Sequence, residues 1–260
     1  MIVDSLKELE LVRALPVLEL RADDALEGTL GVMRGHFSVV NTWYEVNSVF
    51  EGQFLERIAP GAFEKTIKEN VANMRVLYDH GMDPQIGNKV LGNIDVLEED
   101  KTGAYYEVGL FDTSYNRDLL PGLRAGAYGS SFRFHVIKDE WNADPGRSDH
   151  NPQGLPERTI HETRTMEFGP VTFPANPAAT AGMRSLTDDY YQRLRSRDPR
   201  GIDLLLARAM ELRTPVSDPI ATVETGAALQ EPTEPAHDHS GGMSPAQRRE
   251  RLYPNLLRRE

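Results

Sequence analysis

The sequence predicts a mainly β protein with peripheral helices (α+β), its strands closing or nearly closing into a β-barrel. Three observations carry this. Runs at residues 30–40, 74–78, 90–97, 104–111, 128–137 and 159–173 are rich in β-branched and aromatic residues and are bounded by turn residues. Two of them flank Glu98-Glu99-Asp100-Lys101-Thr102-Gly103, a polar stretch ending in glycine, which predicts a hairpin. Helix signals between the strands are few and short.

Each element follows from local chemistry. Pro60-Gly61-Ala62-Phe63 places proline where a helix start tolerates it. Residues 114–123 form a second helix candidate, with Ser114 as its cap. After Leu186, residues 188–212 are rich in Arg and Leu at helical spacing, and Asp198-Pro199-Arg200-Gly201 splits them into two helices. Residues 214–245 are dense in Pro, Thr, Glu and Gly, with little to bury, so disorder is expected. The basic stretch 248–259 contains Leu252, Tyr253, Leu256 and Leu257 and suits a short amphipathic helix. The expected organisation is a leader over 1–25, a barrel domain over 26–186, a helical extension over 187–213 and a tail over 214–260.

Composition narrows the function. The net charge of −11 opposes nucleic-acid binding, whose footprint is a basic stripe. With no cysteine, disulfides, thiolate metal sites and Cys nucleophiles are excluded. Residues 1–7 carry Asp4 and no signal-type apolar run, and no apolar stretch is long enough for a membrane span, so a cytoplasmic setting without membrane contact is expected.

Chemistry concentrates in three segments. In Gly129-Ser130-Ser131-Phe132-Arg133-Phe134-His135-Val136, strand alternation puts Ser130, Phe132, Phe134 and Val136 on the apolar face. Ser131, Arg133 and His135 share the other face, so Ser131 is the serine expected to look outward. A serine in a strand is ordinarily no more than that, and a nucleophile needs a base. His237 and His239 lie in the expected tail, His36 beside Phe37 in an early strand, and His150 in a Pro/Gly/Asp-rich loop. His80 closes the apolar run 74–78 ahead of Gly81, a strand-end position from which a side chain projects into a cleft, although a surface turn histidine reads the same way. Glu167 stands between Met166 and Phe168 in an apolar strand, where a carboxylate needs a partner: a proton-shuttling histidine or a buried arginine.

Taken in order, these segments resemble the phage prohead (capsid maturation) serine proteases, related in fold to the herpesvirus assemblins. The resemblance spans roughly residues 27–185. It rests on Gly35-His36-Phe37-Ser38-Val39-Val40-Asn41, on Glu56-Arg57-Ile58-Ala59-Pro60-Gly61-Ala62-Phe63, and on Val76-Leu77-Tyr78-Asp79-His80. Gly129 to Phe134 and the run from Glu167 through Pro170-Val171-Thr172-Phe173-Pro174-Ala175-Asn176-Pro177 complete it. It implies a herpesvirus-protease-like barrel with Ser131 as nucleophile, His80 as general base and Glu167 as orienting acid. The assemblins use a second histidine in the third role, which leaves His161 and His135 as alternatives. Many members of the family carry glycine where this chain has Arg133. Arginine lies near the oxyanion site in assemblins, so Arg133 is either an oxyanion aid or a packing change. Backbone N–H groups around Phe132 and Arg133 are the expected oxyanion donors.

The resemblance implies no cofactor. It implies as substrates the major capsid protein, any scaffold and the enzyme's own ends, in a homo-oligomer or dimer within the procapsid in the host cytoplasm. A neutral His80 is required, so activity is expected to fall at acid pH. The competing reading is a non-catalytic, protease-like internal scaffold or assembly factor. An esterase is disfavoured because Ser131 runs on into a strand instead of a Gly-x-Ser-x-Gly elbow.

Overall fold

A computed structural model describes residues 9–15, 21–23, 28–172 and 183–211. Its first sheet has seven strands, ordered β11–β1–β9–β10–β5–β4, with β6 also on β10. These are β1 (Leu11–Leu15), β4 (Tyr44–Ser48), β5 (Gly52–Ile58), β6 (Arg75–Val76), β9 (Gly129–Asn142), β10 (Glu157–Val171) and β11 (Arg184–Ser185). The second sheet runs β2–β3–β8–β7: β2 (Arg21–Asp23), β3 (Thr29–Val39), β8 (Gly103–Phe111) and β7 (Gly92–Glu99). Four helices accompany them among the described residues: α1 (Glu64–Asn70), α2 (Ser114–Arg124), α3 (Thr187–Arg197) and α4 (Pro199–Glu211). None is long and apolar enough to cross a membrane.

The mainly β expectation holds, and the closed barrel does not. No strand pairing joins the two sheets among the described residues, and each keeps its own edge strands. β3 is paired by β2 and β8, and β9 by β1 and β10. The layers meet instead through aromatic side chains. Phe37 of β3 stacks on Phe168 of β10 at 4.8 Å between centroids and tilts against Phe132 of β9 at 5.1 Å. Tyr106 of β8 lies 4.8 Å from Phe168.

The β7–β8 hairpin forms as expected, its turn held by Asp100, whose Oδ1 accepts from Thr102 N and Gly103 N at 2.7 and 2.9 Å. Ahead of α1, the Glu99 carboxylate accepts from Gly61 N and Phe63 N at 2.5 and 2.9 Å. The cap of α2 is Thr113 rather than Ser114: the Thr113 hydroxyl accepts from Asn116 N, and Ser114 lies inside the helix.

Strands β1, β4 and β5 carry no assignment in the sequence reading. Alternate burial of Tyr44, Val46 and Ser48 against exposed Glu45 and Asn47 is the signal available for β4. β1 lies within the segment read as a leader, yet all five of its residues are buried. Its Arg13 is fully buried in a charge network, 2.7 Å from Glu51 and 2.7 Å from Glu56. Arg158 adds bonds to Glu56 at 3.1 Å and Asp139 at 2.9 Å. Burial by itself would lower the Arg13 pKa; Glu51 and Glu56 outweigh it and raise it. The tail expected over 214–260 lies outside the described residues.

Candidate active site

Three separate segments converge. β10 runs between β9 and β6, pairing Gly169 with Ser131 on one side and Phe168 with Val76 on the other. The chain leaving β6 is pinned by Leu77 N donating to Phe168 O at 3.0 Å. It then passes so close to Gly169 that a Cβ there would lie 1.9 Å from Leu77 O. Glycine at 169 is therefore the condition for this approach. The next turn, Tyr78–Gly81, carries His80.

His80 sits between the other two groups. Its Nε2 is 2.9 Å from Ser131 Oγ, and its Nδ1 is 2.5 Å from Glu167 Oε1. A neutral imidazole serves both contacts if Nδ1–H donates to the carboxylate and Nε2 accepts from the hydroxyl. Glu167 reaches this face through an irregularity in the ladder between Thr165 and Glu167. The extra residue there turns the carboxylate to the side of Ser131 while Phe168 stays in the core.

Ser131 Oγ has a second acceptor, the Arg13 carbonyl, at 2.8 Å. One hydroxyl proton thus faces two acceptors. The expectation that Ser131 looks outward is corrected. The apolar face holds Phe132, Phe134 and Val136 as expected, but the opposite face is covered too. Ser131 is 0% exposed, and the side chains of Glu167 and His80 are 1% and 6% exposed. Alternation names the face and not what packs on it.

The remaining candidates go elsewhere. Arg133 Nη1 donates to Glu10 at 2.9 Å and to the Tyr190 hydroxyl at 2.5 Å, and Nε lies 3.5 Å from Glu167 Oε1. Its side chain thus serves the carboxylate end of the site. His135 lies 3.8 Å from Glu10, and His161 lies 3.4 Å from Glu140 at the surface. Of the three residues considered for the third position, Glu167 is the one bonded to His80. Phe132 is packed in the core, and the ladders pair it with Arg13 on one side and Phe168 on the other.

Sequence reasoning missed Glu10 and Tyr190, which flank Arg133. Burial pushes the Tyr190 phenol up to about 12, against the opposing pull of Arg133, so it stays a neutral hydroxyl that accepts from Arg133 and donates to Glu10 at 3.2 Å. Its ring stands edge-on to His80, with centroids 6.0 Å apart.

Comparison with known proteins places the chain in a family. The profile of the caudovirus prohead serine proteases matches residues 17–192. The solved structure of the bacteriophage T4 capsid assembly protease is similar at 13% identity and a TM-score of 0.39, over 64% of this chain and 97% of that one. No curated protein matches. With the profile spanning most of its length, the chain belongs to the caudovirus prohead serine protease family.

Proposed function

We propose that the protein is a serine endopeptidase that cleaves coat and scaffold proteins, and its own ends, during procapsid maturation, with Ser131, His80 and Glu167 as its triad. The observation that carries this is His80 bonded on one side to Ser131 and on the other to a buried carboxylate. His80 takes the Ser131 proton as the hydroxyl attacks the scissile carbonyl, then returns it to the leaving amine. Glu167 holds Nδ1–H, which fixes the tautomer and steadies the imidazolium. Arg133 adds positive charge next to Glu167 and steers that carboxylate.

The conformation described is a closed one. Ser131 is covered, and the Arg13 carbonyl competes with His80 for its proton. Phe132 and Arg133 have ladder partners on both flanks, with an irregularity opposite Arg133, so the proposed oxyanion donors lie within the sheet beside the covered serine. Local opening around Ser131 therefore precedes acylation. Such a requirement suits an enzyme that assembles together with its substrates.

Co-expression with the cognate coat protein, with and without Ser131→Ala, tests the reading. Shortening of the coat protein by wild type alone is expected. Shortening by both would remove Ser131 from the mechanism. Shortening by neither would favour the non-catalytic assembly role.

A further inference from the structure

Asp79 and His80 are consecutive non-glycine residues in the left-handed region, with φ of +49° and +57°. That region is uncommon for non-glycine residues, although Asp and His enter it more readily than most, and two in succession persist where surrounding contacts fix them. Backbone bonds secure part of the turn: Leu77 N to Phe168 O before it, and Met82 N to Asp79 O at 2.8 Å across it. His80 is held from inside by Glu167 and Ser131, and from outside the turn is met by one stripe of α3. Arg193 grips the Asp79 carboxylate with both arms of its fork, Nη1 to Oδ1 at 2.9 Å and Nη2 to Oδ2 at 2.5 Å. Arg197 Nη2 donates to Met82 O at 2.6 Å. Tyr190 sets its ring against His80 itself. Spacings of three and four residues put these side chains on the same helical face.

We propose that Arg193, seconded by Arg197, is a positioning residue for His80: it holds α3 against the strained turn and so keeps Nε2 within reach of Ser131. This rests on the Ser131–His80–Glu167 reading. Its separate content is that a helix outside both sheets sets the geometry of the base. The ion pair is half in solvent, with side chains 43% and 20% exposed, and such pairs add little to global stability. Removing it should therefore disturb the turn without unfolding the chain. A misplacement of about 1 Å at a reacting group costs roughly 100-fold in rate, so partial loosening is expected to cost about 10- to 100-fold.

The test uses the full chain and a fluorophosphonate probe. The Ser131 oxygen bonds to phosphorus, fluoride leaves, and His80 takes the hydroxyl proton. The labelling rate and thermal midpoint are measured for wild type, His80→Ala, Arg193→Ala, Asp79→Asn and the Arg193→Ala/Asp79→Asn double variant. The expected result is a loss of about 10- to 100-fold in Arg193→Ala and in Asp79→Asn, the same loss rather than its square in the double, and an unchanged midpoint in these three. Arg193→Lys should restore part of the rate. Should Arg193→Ala lower the midpoint, the near-isosteric Asp79→Asn carries the test. Labelling of Arg193→Ala at the wild-type rate, or strictly multiplicative losses, would overturn the positioning role while leaving the triad intact. Undiminished labelling of His80→Ala, or no labelling of wild type, would instead overturn the triad reading.

Discussion

Replacing Gly169 with alanine should separate Ser131, the proposed nucleophile, from His80, its proposed base, while leaving both side chains in the protein. The added Cβ would lie 1.9 Å from Leu77 O, and real Cβ atoms essentially never come within 3.0 Å of such an atom. Relief requires β10 and the segment leading to His80 to move apart by about 1.1 Å. Both sides of the clash are backbone, so no side chain can swing away to absorb it. Leu77 lies three residues before His80, and Gly169 is paired directly with Ser131. Carried through to the side chains, the shift would stretch the 2.9 Å contact between Ser131 Oγ and His80 Nε2 to about 4 Å, beyond hydrogen-bond reach. A displacement of about 1 Å at a reacting group costs on the order of 100-fold in rate. Overpacking of this kind also costs about 1–3 kcal/mol of stability. The assay is fluorophosphonate labelling of Ser131, run beside thermal unfolding. Wild-type labelling and an unchanged midpoint in Gly169→Ala would refute the claim that this close approach sets the His80 position.

Phe37→Ala should destabilise the fold by about 3–5 kcal/mol, since it empties the contact between the layers; at roughly 2–4 °C per kcal/mol, calorimetry should show a clear fall in midpoint. Glu56→Ala leaves Arg13 and Arg158 short of a buried partner and is expected to cost about 3–5 kcal/mol by urea unfolding. Glu51 gives that network an acid sensitivity. Burial would raise its pKa, but Arg13 prevails and lowers it below 4.5. A carboxyl depressed in the folded state stabilises fully above its unfolded pKa, and that contribution is lost as pH falls through the folded value. The thermal midpoint should therefore drop below about pH 4.5, and Glu51→Gln, less stable at neutral pH, should lose less on acidification.

Much of the site was legible in the residues. Phe132, Phe134 and Val136 alternate strictly enough to give β9 its core face, and that alternation chose Ser131 over Ser130. Position at the end of a short apolar run made His80 a candidate that the motif order then raised above a surface turn histidine, and a carboxylate between Met166 and Phe168 announced a need for a partner. The β7–β8 hairpin and the start of α2 also followed from local patterns, because turn and helix signals act over a few residues. β1 was not legible, because its Arg13 reads as a solvent-exposed charge until Glu51 and Glu56 are brought around it. The ladder irregularity before Glu167 was equally hidden. Period-two counting is blind to an inserted residue, and here one residue decides which face the carboxylate takes.

By itself, then, the sequence determined that the protein is mainly β, and its motif order singled out Ser131, His80 and Glu167 as the proposed triad, since composition, alternation and motif order are properties of the chain alone. Tertiary structure decided that the strands form two sheets and that Ser131 is covered. It also decided that Arg133 turns toward Glu167, Glu10 and Tyr190, and that α3 grips the turn bearing His80. Each of these depends on groups far apart in sequence meeting in space, as Arg193 and Asp79 do across 114 residues. No local propensity encodes such a meeting.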